Sequence, residues 1–315
     1  MKKTTAAAVC NSKKKNNFVN RVKNQKYLLI MLAPCLLYYI LFRYIPMFGL
    51  VIAFNRYNFA DGIFGSPWVG LDNFSQFIFG PYFWRLMKNT FLTSFYDLLF
   101  GFPAPIIFAL MLNELAGRKF KRLVQTVSYL PHFLSAVVVV GLMKQMLSPT
   151  SGIVNAAICA LGGESINFFM EKGWFRFLYV ISGIWQNFGW GAIIYIAGIA
   201  AIDPALYEAA EIDGAKRFKK MIHITIPGIA PTMIILLILR MGTLLDVGYE
   251  KVLLMYNPGI YETADVISTY VYRNGIQEAN YSFGTAVGLM NSVIAMILII
   301  ASNTISKRVS ETSLW

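Results

Sequence analysis

The chain has 315 residues, 57% of them apolar and 14% charged, with a formal net charge of +12. A water-soluble domain carries about a quarter of its residues charged, so this composition excludes an ordinary soluble globule and points to a surface that faces lipid. The positive excess does not describe a nucleic-acid binder either, because it is gathered beside long apolar runs, where Lys and Arg set membrane topology.

Residues 1–26 read as a basic cytoplasmic tail, with Lys2, Lys3, Lys13, Lys14, Lys15, Arg21, Lys23 and Lys26 preceding the first apolar run. This polar lead is too long for a cleavable signal, and the run after it is interrupted by Arg43 instead of closing on small residues, so it is expected to be retained as a span. A bilayer core about 30 Å thick needs roughly 20 apolar residues in a helix. Six segments qualify, near residues 27–54, 89–115, 124–147, 175–202, 224–245 and 283–305. The expected organisation is a six-helix transmembrane domain over 27–307 and a cytoplasmic tail over 308–315. Pro103 and Pro105 fall inside the second span, where each removes a backbone donor and favours a kink.

Further basic clusters at Arg118-Lys119-Lys121-Arg122, Lys216-Arg217-Lys219-Lys220 and Lys307-Arg308 mark the even connections and the C-terminal end. Their bias predicts a multi-pass plasma-membrane protein with both termini in the cytoplasm. The odd connections carry few bases, many aromatics and several glycines, and are long enough to pack over an extracellular entrance. Cys10, Cys35 and Cys159 are scattered and of odd number, with neither disulfide nor metal spacing, and no metal site is expected.

The connection over residues 203–227 is too long for a plain turn between spans. Asp203 suits a helix N-cap and Pro204 the first helical position. Residues 205–212 are good helix formers, and Gly214 can adopt the left-handed conformation that ends a helix. A short capped helix at the cytoplasmic surface is a stiff lever, with Glu208 available for a charge-assisted contact and Ala209 and Ala210 permitting close approach. Lying on lipid headgroups is the alternative use for such a helix.

Within this connection, Glu208-Ala209-Ala210, then three residues, Gly214, nine residues and Ile224-Thr225-Ile226-Pro227 resemble the loop signature of binding-protein-dependent ABC importer permeases, with Ile226 where that signature has leucine. Several further runs are similar to the LplB/YtcP/YteP-type polysaccharide and oligosaccharide permeases. They are Tyr44-Ile45-Pro46-Met47, Gly65-Ser66-Pro67-Trp68-Val69-Gly70-Leu71, Asn73-Phe74, Gly101-Phe102-Pro103-Ala104-Pro105, Ser128-Tyr129-Leu130-Pro131-His132, Thr269-Tyr270-Val271-Tyr272-Arg273 and Ser313-Leu314-Trp315. The resemblance implies an all-α, MetI-like type I importer fold of six transmembrane helices with a cytoplasmic coupling helix. It further implies a second permease subunit, a cytoplasmic ATPase dimer and an extracellular solute-binding lipoprotein that delivers an oligosaccharide. By the same resemblance Glu208, Ala209, Ala210, Asp213 and Gly214 form the ATPase-coupling contact, and Ile224, Ile226 and Pro227 set its junction with the fifth span.

The chain lacks the G-x-x-x-x-G-K-[ST] phosphate loop. It is therefore expected to be non-catalytic and to hold no cofactor of its own, ATP and Mg being used by the partner ATPase. Ionisable residues within spans are costly and often functional. Arg240 lies 13 residues beyond Pro227, about 20 Å along a helix, where its guanidinium can pair with a sugar carboxylate or internally with Asp97 or Asp246. Trp185, Gln186, Asn187, Trp190, Tyr195 and Asn291 are candidate sugar contacts by stacking and amide hydrogen bonding, although aromatics in spans also serve packing. His132 and His223 have no visible catalytic partners. An ion-gradient-driven secondary transporter is the competing reading, but it predicts intramembrane acids and an inverted repeat, and neither stands out. A membrane-embedded enzyme lacks any residue cluster to carry it.

Overall fold

The computed structural model describes residues 25–310; most of the expected N-terminal tail, Cys10 and the Ser313-Leu314-Trp315 ending lie outside them. The principal helices are α1 (Lys26–Phe54), α2 (Phe83–Glu114), α3 (Arg118–Phe133), α4 (Ala136–Met146), α5 (Trp174–Ala200), α6 (Pro204–Ile212), α7 (Arg217–Gly242), α8 (Tyr249–Met255) and α9 (Tyr281–Ser310). Helices α1, α2, α7 and α9 are each long and apolar enough to cross a membrane, and the bent pairs α3–α4 and α5–α6 bring the number to six. Among the described residues the β pairing is confined to one isolated bridge between Asn55 and Trp68.

The third expected span, 124–147, is not a continuous helix. Helices α3 and α4 meet at 102°. Pro131 cannot donate into the preceding turn, the chain tightens into a 3-10 turn over Leu130–Phe133, and Ser135 opens a new helix by accepting from the Val138 N–H at 3.4 Å. Phe120, Leu123 and Val127 fall on one face of α3 and the four basic residues on the other, the pattern of a helix lying at a membrane surface. The 11 residues of α4 rise only about 16 Å, roughly half the hydrocarbon thickness. A hydropathy window averages across the break, which is why the sequence reads as one span.

Three prolines produce one repeated distortion. Wide π-turns occupy Ile40–Tyr44, Asp97–Gly101 and Met221–Thr225, each ending two residues before a proline: Pro46, Pro103 and Pro227. A proline ring collides with the carbonyl four residues back and leaves it without a donor. Widening the turn moves that carbonyl aside and shifts bonding to the residue five back, as in the Ile45 N–H to Ile40 carbonyl and the Ile226 N–H to Met221 carbonyl bonds. The kink expected at Pro103 and Pro105 takes this form.

Helix α5 is the central element. It packs on the Pro103–Glu114 half of α2 and on α7, burying Ile106, Ala109, Leu110, Ala192, Tyr195, Ile199 and Ile229 in one apolar cluster. Tyr195, at 2% exposure, belongs to this core and not to a substrate surface. At the opposite end from α6, a polar network ties the connections into a cap. Asp265, fully buried, pairs with Arg273 at 2.9 Å and with Arg85 at 3.5 Å. Asn89 donates to the Glu262 and Asp265 carbonyls at 3.0 Å and accepts from Arg176 at 2.8 Å.

Where α3 crosses α5, residue 189 must be glycine. A Cβ there would collide with the Ser128 backbone carbonyl, whereas one at Gly141 would meet open space. Gly189→Leu should lower the detergent-solubilised melting temperature by several degrees, an overpacking penalty of about 1–3 kcal/mol or more, while Gly141→Leu should not; equal melting of the two variants would refute this crossing.

Candidate functional site: a capped loop and a polar pathway

Helix α6 is fastened at both ends by its own residues. Asp203 caps its start, accepting from the Ala205 N–H at 2.9 Å, with Pro204 in the first turn. Its end is a Schellman turn. The Gly214 N–H donates to the Glu211 carbonyl at 3.0 Å and the Ala215 N–H to the Ala210 carbonyl at 2.8 Å. Gly214 sits at φ +74°, a conformation that disfavours a side chain. Asp213 is the residue through which the helix turns into that glycine.

One face of α6 is held and the other is free. The Tyr207 hydroxyl meets the Thr225 hydroxyl at 2.9 Å, and Thr225 is 2% exposed at the base of α7. Glu211 accepts from Lys220 at 2.6 Å across the turn, and that ammonium holds the Glu211 carboxyl below the usual glutamate range. At 100° per residue, Ala205, Glu208, Ala209 and Ile212 share one sector of the helix, and all four are exposed. Ile212 is 88% exposed and Phe218, just beyond the turn, 67%. Their exposure was not legible in the sequence, because exposure of a hydrophobe has no sequence signal. Ile226 packs against the α2–α5–α7 cluster, Ile224 is half-buried, and Pro227 follows the π-turn in the first turns of α7.

The candidate pathway residues do not form a single site. Arg240 pairs with Asp97, one of the two internal partners expected for it, and Asp246 lines the same pocket of about 140 Å³. Trp190 stacks face to face on His132, centroids 4.7 Å apart and 3° from parallel. His132 Nδ1 in turn meets the Asn187 side-chain oxygen at 3.0 Å. Gln186 donates to the Leu134 carbonyl at 2.8 Å, satisfying backbone exposed by the break between α3 and α4. Gln186 and Asn187 thus stitch that break to α5, and His132 is a partner that its isolation in the sequence concealed.

Tyr179, Gly183, Gln186, Asn187 and Trp190 share one face of α5, whereas Trp185 lies outside that sector. Asn291, on α9, lines a separate cavity of about 300 Å³ with Tyr249, Ser268 and Tyr272. The Tyr249 and Tyr272 rings stack at 5.5 Å, and the buried Asn291 side-chain oxygen has no hydrogen-bond partner. His223 Nδ1 meets the Lys219 carbonyl at 3.0 Å. Among the described residues no group of His, Cys, Asp and Glu is arranged to hold a metal.

The profile of the binding-protein-dependent transport system inner membrane component family matches residues 101–311. Protein LplB of Bacillus subtilis (strain 168) is 43% identical over 309 residues, covering 98% of this chain and 97% of that protein. The polygalacturonan/rhamnogalacturonan transport system permease protein YteP of the same organism is 42% identical over 309 residues, covering 98% and 96%. A chain from the crystal structure of a bacterial ABC transporter involved in the import of the acidic polysaccharide alginate superposes with a TM-score of 0.86 at 42% identity, covering 93% of this chain and 99% of that one. A second structure of that kind of transporter, in complex with an alginate pentasaccharide-bound periplasmic protein, gives the same TM-score and identity. The fold is therefore MetI-like, and the chain belongs to the binding-protein-dependent transport system inner membrane components, the non-catalytic permease subunits of ABC importers.

Proposed function

We propose that this chain is one permease half of an importer for an oligosaccharide or polysaccharide-derived sugar, and that α6 is the element through which ATP hydrolysis on a partner drives it. The observation that carries the reading is the doubly capped α6. Its outward sector of Ala205, Glu208, Ala209 and Ile212 is exposed, while its inward side is bonded to the base of α7 through Tyr207 and Thr225. A helix fixed in this way passes a push on its outer face into α7 without bending at the joint. Glu208, Ala209, Ala210, Asp213 and Gly214 make up the coupling contact, and Ile224, Ile226 and Pro227 its junction with the bundle.

In this reading both termini and the α6 loop face the cytoplasm, residues 27–307 form the transmembrane domain, and a second permease subunit completes the pathway. A cytoplasmic ATPase dimer uses ATP and Mg, and an extracellular solute-binding lipoprotein presents the sugar at the cap. The sugar assignment is supported by the names of the relatives, which concern polygalacturonan, rhamnogalacturonan and alginate. Trp190, Trp185, Asn291 and Arg240 are the pathway residues proposed to meet it. An ion-gradient mechanism gains no support, since it leaves the capped loop without a role.

Gly214→Val, which forces a branched side chain onto positive φ, should abolish sugar uptake by the reconstituted transporter while membrane levels of the protein stay normal; normal uptake would remove α6 as the coupling element. The Glu211–Lys220 bond makes a pH prediction. A carboxyl held low by its partner stabilises the loop above the unfolded pKa and stops doing so as pH falls through the folded one. A carbon-13 titration should therefore place Glu211 below the ordinary glutamate range, about 4.3, and return it there in Lys220→Met. An unchanged titration in that variant would show that the bond does not form in solution.

A further inference from the structure

The polar pocket between α2, α5 and α7 is lined by the carboxylates Asp97 and Asp246 and by Arg240, and Asp97 is approached by two cations, Arg240 from α7 and Lys251 from α8. Asp97 accepts from Arg240 through its Oδ2. Its other oxygen points toward α5, where a Cβ built on Gly183 would lie 3.6 Å from Asp97 Oδ1 and 3.5 Å from Lys251 Nζ. Lys251 reaches this point from α8, donating to the Tyr179 carbonyl at 3.0 Å with its ammonium 4.7 Å from the centre of the Tyr179 ring. The gap between Asp97 and Lys251 stays open because residue 183 carries no side chain. Arg240 is the accessible member: its side chain is 50% exposed and that of Asp97 20%. The buried Ser94 hydroxyl lining the same pocket has no partner.

We propose that Asp97, Arg240 and Lys251 form a carboxylate-exchange site that selects uronate-bearing cargo. This rests on the reading of the chain as a sugar-importer permease and narrows its cargo class. In the empty permease Asp97 occupies the Arg240 guanidinium as a stand-in for the cargo. An arriving sugar carboxylate takes its place on Arg240, whose planar fork of donors matches a carboxylate in two bonds. Asp97 then turns into the space over Gly183 and pairs with Lys251. Asp97 and the cargo carboxylate each keep a cation throughout, which is what makes the exchange tolerable among spans, where an unpaired charge is costly. A neutral sugar offers nothing to Arg240, so the internal pair stays closed against it. Lys251 is the residue this adds: it does not touch cargo but receives the displaced Asp97.

The test is uptake of an oligogalacturonate and its methyl ester by proteoliposomes holding the complete transporter, with thermal melting measured in parallel. The charge swap Asp97→Arg with Arg240→Asp preserves an internal pair but brings the new guanidinium toward Lys251, a cost read in the melting temperature; it should lose free-acid uptake by about tenfold or more because the reader has become an acid. Asp97→Asn removes the competing anion and should lower KM for the free acid relative to the ester, while Lys251→Gln should lower kcat for the free acid by leaving Asp97 without its second partner. Free-acid uptake by the swap at the wild-type rate would reduce the pair to a structural ion pair and overturn the proposal, as would an Asp97→Asn variant that alters both cargoes equally. Should the swap fail to fold, the Asp97→Asn split decides. A wild-type transporter that moves neither cargo nor any other sugar would instead sink the importer reading on which this rests.

Discussion

A backbone in hydrocarbon has no water to bond to, so any departure from the α-helix must be repaired by the chain itself. Three such departures bear on the segments discussed above. The π-turn before Pro227 lies in the first turns of α7, the π-turn before Pro103 begins at Asp97, and the break after α3 is repaired by Gln186 of α5.

Helix α7 spans the distance between the two ends of the mechanism. At its base the half-buried Ile226 and the buried Thr225 hold the loop to the bundle, and toward its far end Arg240 carries the charge that meets Asp97. In the proposed reading a displacement of α6 would be delivered along α7 to Arg240, which pairs with Asp97 of α2. Helix α5 provides the other half of the frame, offering Gly183 as the gap, Tyr179 as the platform for Lys251, and Trp190 as the stacking partner of His132.

Much of this was legible in the sequence, and what was not has physical reasons. Asp203, Pro204 and Gly214 act through local backbone geometry, so their caps can be read from spacing alone and occur as read. The spans follow from hydropathy, except that an average over residues 124–147 conceals a right-angled break whose one local sign is Pro131 before a serine. The Asp265 network was invisible, since its partners Arg85 and Asn89 lie 180 and 176 residues away and no motif links them. Tyr195, one of the candidate sugar contacts, lies in the core instead, because aromatic character does not reveal which side of a helix a ring occupies. His132 was set aside for want of sequence neighbours, yet the break places it on Trp190. Lys251 could not be singled out before α8 was seen to fold back over Gly183.

The central claim is that α6 and the base of α7 move as one rigid body. Spin labels at the exposed Leu206 of α6 and the half-exposed Leu237 of α7, read by electron–electron double resonance in the assembled transporter, test it most directly. The account predicts the same distance distribution in the nucleotide-free and ATP-trapped states, and in both a broader one when Tyr207→Phe removes the bond to Thr225. A nucleotide-dependent change approaching one helical turn, about 5 Å, would show that the joint bends, and would contradict it.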